Sequence, residues 1–202
     1  MRVRIAIILI CLVGLNGCGN MQISNFSRAE PKFVLEKYFA GKTRAWGIFE
    51  DRFGNVRRQF TVNITGIAAG NTLTLDEQFK YADGEQDRRV WKITKLSPNS
   101  YEGRADDIVG VATGETRGNA LNWRYTMDLK IGESTLRVQF DDWMFLQPDG
   151  VLINRARVSK LGFEIGQVTL TFQKPIYKAA KQSWYIPNFE KPATEYWKAA
   201  HQ

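Results

Sequence analysis

From Arg44 to Lys174 apolar and polar residues alternate with a period of two, the spacing that sends successive side chains to opposite faces of a β-strand. The alternation breaks at turn-forming strings: DRFGN at 51–55, AGN at 69–71, ADGE at 82–85, SPNS at 97–100, GN at 118–119, GE at 132–133, QPDG at 147–150 and LG at 161–162. No helical crossover separates the runs, so consecutive strands pair antiparallel through hairpins. A sheet of about eight to ten such strands removes its exposed edges by closing on itself. The pattern therefore predicts an all-β fold, an antiparallel up-and-down β-barrel of lipocalin or calycin type over residues 32–175. KFVLEKYF at 32–39 predicts a short helical turn closing one end. Beyond Pro175 the alternation is lost, and residues 176–202 read as an irregular, aromatic-rich tail with a last helical turn from Thr194.

Period two also assigns faces. Val56, Arg58, Phe60, Val62 and Ile64 share one face, as do Leu73, Leu75, Glu77, Phe79 and Tyr81. Arg89 goes with Trp91 and Ile93, Trp123 with Leu121, Tyr125 and Met127, and Asp142 with Val138, Phe140 and Met144. Four charged residues, Arg58, Glu77, Arg89 and Asp142, thus fall on apolar faces. A lone buried charge is costly, so each needs a partner or a water-filled space. Two readings stay open. The four form internal ion pairs that hold the barrel together, or one cation remains for an anionic ligand head group, with Trp91, Trp123, Tyr125 and Phe140 lining a hydrophobic pocket. A third, acid–base chemistry by Glu77 and Asp142, is disfavoured because nearby arginines would keep both ionised. Asp106 and Asp107 read as acids at a strand end, with no EF-hand spacing around them.

The N-terminus follows another pattern. MRVRIAIILICLVGL has Arg2 and Arg4 ahead of an uncharged apolar run of about a dozen residues, short for a bilayer-spanning helix and suited to an export signal. Leu15, Asn16, Gly17 and Cys18 then resemble a bacterial lipobox. That resemblance implies cleavage after residue 17 and acylation of Cys18, which would hold the chain firmly on a membrane. Residues 18–31 read as a polar tether. Gly19 and Asn20 lack the aspartate of an inner-membrane retention signal, which implies an outer-membrane lipoprotein facing the periplasm.

Composition removes whole classes of chemistry. Without residues 1–17, which carry Arg2 and Arg4 and no acid, 26 basic residues face 21 acidic ones, so the formal charge falls from +7 to +5. That mild excess suits anionic head groups better than nucleic acid, which is not expected as a partner of an exported chain. His201 is the only histidine, and Cys11 and Cys18 are the only cysteines. Triads, Cys-His sites and multi-histidine zinc or haem sites all lack their central residue. No enzyme activity, cofactor or metal is expected.

The strings AWGIFEDRFGNVRRQF, LTLDEQFKYADGEQDRRVW, YEGRADDIVGVATGETRGNALNWRY and FDDWMFLQPDGVLINRARVSKLGFEIGQVTLTF resemble the bacterial lipoprotein family termed domain of unknown function 3833, from about Phe39 to Lys174. The resemblance implies an outer-membrane-type lipoprotein. It also implies a lipid-related role, since members often neighbour genes for fatty-acid-modifying enzymes such as cyclopropane-fatty-acid synthase. The architecture is similar to that of lipid-anchored bacterial lipocalins, although Gly41 to Trp46 departs from the lipocalin G-x-W signature. The expected function is binding or carriage of an acyl chain, a fatty acid such as palmitate or a lysophospholipid. The alternative is a ligand-free docking module for an envelope enzyme or complex.

Overall fold

The computed structural model describes residues 21–175. The leader at 1–17, Cys18, His201 and the tail at 176–202 lie outside the described residues.

Ten strands form a closed antiparallel barrel: β1 Gly41–Asp51, β2 Val56–Ala69, β3 Thr72–Tyr81, β4 Gln86–Ser97, β5 Ser100–Arg104, β6 Ile108–Arg117, β7 Ala120–Ile131, β8 Ser134–Leu146, β9 Leu152–Lys160 and β10 Phe163–Gln173. Each pairs with its sequence neighbours, and β1 closes the ring against β10, from Arg44 opposite Gln173 to Asp51 opposite Gly166. All eight turn strings sit at hairpins. The ninth hairpin, Ala105 to Asp107, is read in the sequence only as a strand end, because it contains no glycine or proline and follows a strand of five residues.

The odd-numbered strands run toward one end of the barrel and the even-numbered strands return from it. That orientation separates a sealed end from an open one. A five-residue helix, α1 (Leu35–Phe39), plugs the sealed end and buries Leu35, Tyr38 and Phe39. Glu36 of α1 accepts hydrogen bonds from Lys95 Nζ and, at 2.9 Å, from the Tyr101 hydroxyl. The Tyr38 hydroxyl donates to the Phe172 carbonyl at 3.2 Å. The plug sits so tightly that a Cβ on Gly66 would lie 1.9 Å from the Phe39 carbonyl oxygen, so only glycine fits there.

The stretch read as a tether is in good part docked. A 3-10 turn at Ile23–Phe26 lays the Phe26 ring 6.0 Å from Trp143 and 5.3 Å from Phe145, centroid to centroid. The Phe33 amide donates to the Gly118 carbonyl at 2.7 Å. This strap explains why Trp143, on the outer face of β8, is only 5% exposed. Its few aromatic contacts follow no period, which is why the sequence reads as unstructured there.

Candidate functional site

The inward faces do not meet. They enclose a cavity of about 640 Å³ that runs from Leu35 and Phe39 at the plug to Arg57, Arg58, Glu85 and Lys130 at the open end. That volume is within the range of small-molecule sites. Arg58, Glu77, Arg89, Trp91, Trp123, Tyr125, Phe140 and Asp142 all line it. The faces derived from alternation are observed at these positions; the exception is the start of β2, where a register shift against β1 leaves Val56 49% exposed and brings Arg57 to the cavity mouth.

The cavity has two unlike walls. Below the arginines at the mouth, the lining on β1, β2 and β10 is apolar, from Phe49, Phe60, Val62, Val168, Leu170 and Phe172. Across from it, β3, β4, β7 and β8 carry the aromatics and the charges. Trp91 meets Trp123 and Tyr125 edge to face at 5.8 and 5.5 Å, and Tyr125 stacks on Phe140 at 4.8 Å. Trp123 lies flat because β6 offers no side chain beneath it. A Cβ on Gly114 would be 2.1 Å from its ring.

Arg89 and Glu77 are register partners on β4 and β3, with Nη1 and Oε2 3.9 Å apart. The stronger partner of Arg89 is Asp107, which accepts from Nε at 2.9 Å and from Nη2 at 2.7 Å. Asp107 reaches inward from the hairpin that the sequence reading missed, so its part in the cluster could not be read from alternation. Arg58, at the mouth, stacks over Tyr81 at 3.7 Å and donates to Asp83 at 3.1 Å and Glu85 at 2.7 Å. Asp142 accepts from Asn154, which is 1% exposed. The four inward charges are thus not paired solely with one another. Both arginines have carboxylate partners from hairpin residues, which changes the expectation that one of them waits free for a head group.

The expectation that arginines hold Glu77 and Asp142 ionised is also revised. Burial pushes the Glu77 carboxyl up to about 7 despite the pull of Arg89, and Asp107 and Asp142 add to the rise. Burial raises Asp142 to about 6, with Asn154 and Tyr125 opposing and Asp141 adding. Burial disfavours charge on Arg89 too, but Asp107 and Glu77 outweigh it and its pKa rises. The Tyr125 phenol is held well above its ordinary value, first by burial and then by Asp142. Desolvation wins for Glu77 and Asp142 because the guanidinium that opposes it, that of Arg89, is held mainly by Asp107. Mid-cavity therefore holds one close ion pair and two carboxyls that keep their protons to higher pH than usual, Asp142 to about 6 and Glu77 to about 7. Among the described residues no three His, Cys, Asp or Glu side chains converge as a metal site.

A family model described as protein of unknown function (DUF3833) matches residues 12–174. The chain belongs to that family. The family match extends back from the barrel through the strap and past Cys18. No curated protein matches the chain. Among solved structures, an S-type phycobiliprotein lyase from Guillardia theta is similar with a TM-score of 0.49 and 5% identity, over 76% of this chain and 96% of that one. The closed lipocalin-like barrel rests on this chain's own strand pairing. Among the described residues no helix is long and apolar enough to cross a membrane.

Proposed function

We propose that this DUF3833 chain is an envelope lipoprotein, anchored through Cys18, that binds or carries an acyl-chain ligand such as a fatty acid or lysophospholipid. The observation carrying this reading is the hollow interior: a cavity of about 640 Å³, lined mainly by aromatic and aliphatic side chains, sealed at one end and open at the other. The chain lies along the apolar wall of β1, β2 and β10, facing Glu77 and Asp142, whose carboxyls burial shifts toward the neutral form. An anionic or zwitterionic head stays at the mouth, where Lys130 faces the opening from β7; Arg58, opposite it on β2, already holds Asp83 and Glu85. The docking-module alternative calls for an interior plugged by its own side chains, and the cavity weighs against it.

Native mass spectrometry of the protein released from cell membranes tests the reading, the expected result being a co-purified lipid that occupies one site. Palmitate and lysophosphatidylcholine should alter tryptophan emission, because Trp91 and Trp123 line the cavity. If no lipid accompanies the protein and neither probe changes emission or melting temperature, acyl binding is refuted.

A further inference from the structure

We infer that the hairpin tips beside the cavity mouth form a docking surface for an anionic phospholipid bilayer. This goes beyond the acyl-ligand reading and does not require it. The loops β1–β2 and β9–β10 are neighbours because β1 pairs with β10, and the Arg52 amide donates to the Ile165 carbonyl at 3.1 Å, joining the two hairpins. Their side chains are unusual for loop tips in water: Phe53 is 74% exposed, Leu161 87% and Phe163 76%.

Leu161 decides that these exposures are not incidental. It has φ 50° and is followed by Gly162 at φ 83° in a two-residue hairpin loop. Such loops favour Asn-Gly or Asp-Gly, because the first residue must tolerate positive φ. Leucine strains the backbone and leaves its apolar side chain in solvent. Neither helps the barrel to fold, and the pairing of strain with apolar exposure points to a contact outside the chain.

Charge and shape select the partner. Residues 51–57 and 157–164 carry four basic side chains (Arg52, Arg57, Arg157, Lys160) against two acids (Asp51, Glu164). The acids pair with Arg57 and Arg157. Arg52 and Lys160, flanking Phe53 and Leu161, have no carboxylate within 4.0 Å among the described residues. A stable protein interface covers about 800 Å² on each partner, a broad surface rather than separate protruding tips. Bulky apolar side chains interleaved with cations suit the boundary between head groups and acyl chains, where the rings and the leucine insert and the cations meet phosphate.

The test is hydrogen–deuterium exchange of the full chain with vesicles of phosphatidylethanolamine and phosphatidylglycerol, read at peptides spanning 52–56 and 160–163. Vesicles should slow exchange there, and phosphatidylcholine vesicles should do so several-fold less. Leu161→Asn relieves the strained turn, so melting temperature should hold or rise while protection falls. With Phe53→Ser and Phe163→Ser added, vesicle affinity at these hairpins should drop at least about tenfold, since large side chains return to water. These residues do not line the cavity, so emission changes with palmitate should persist in the triple variant. That persistence separates failure of the rim from failure of the pocket. No vesicle protection, equal protection by phosphatidylcholine, or protection produced only by an envelope protein fraction would each overturn the inference.

Discussion

Glu77 is a carboxyl whose chemistry departs far from what its type suggests. In the unfolded chain it loses its proton near its ordinary 4.5, in the barrel at about 7. Between those values the folded state binds the extra proton, so stability is greatest below the window and falls as pH rises through it. Asp142 adds to the same slope from 3.8 to about 6. Thermal melting from pH 4.5 to 8 should show this decline, and Glu77→Gln with Asp142→Asn should flatten it and raise the melting temperature at pH 8. An unchanged slope in the double variant would mean that other groups set the pH dependence. At Gly114 the constraint is space. Gly114→Ala places a methyl against the Trp123 ring and should cost about 1–3 kcal/mol while shifting tryptophan emission, by chemical denaturation and fluorescence.

Among the elements, β3 and β4 form the wall whose charges must balance. Removing the guanidinium with Arg89→Ala leaves Asp107 and Glu77 without their cation and should destabilise the barrel by about 3 kcal/mol or more in urea unfolding. Adding Asp107→Asn should recover part of that loss, which truncation of a mere packing residue would not allow. The same wall shows what was legible in the sequence. That Glu77, Arg89 and Asp142 face inward follows from a period of two, which survives because the hairpins keep strict register: Glu77 opposite Arg89, Trp123 opposite Asp142. Their partners were not legible, because partners depend on how the ring closes and where turn residues reach. Asp107 enters the cluster from a hairpin without glycine or proline. Arg58 is neutralised by Asp83 and Glu85 from the next hairpin. The strap at Ile23–Phe26 was hidden for a similar reason, since one phenylalanine on two outer aromatics carries no repeat.

The described residues form a cup with its plug at one end and its mouth at the other. Cys18→Ser should move most of the protein from the membrane fraction to the soluble one; unchanged fractionation would remove the acyl anchor from this account. The docked strap gives that anchor a direction. If Cys18 carries the anchor, the five residues from 18 to 22 that precede the docked Ile23 can span at most about 18 Å. That span emerges beside the base of the cup, while Phe53, Leu161 and Phe163 project from the lip. On the proposed anchoring, a barrel held by so short a span would not turn its lip onto the bilayer that holds it. Acylated chains seated in one set of vesicles should then bridge to a second set, seen as rising turbidity. A long flexible insertion after Cys18 should suppress the bridging by letting each barrel fold back on its own bilayer. On that proposal, the five residues between Cys18 and the strap would decide whether the protein serves one membrane or joins two.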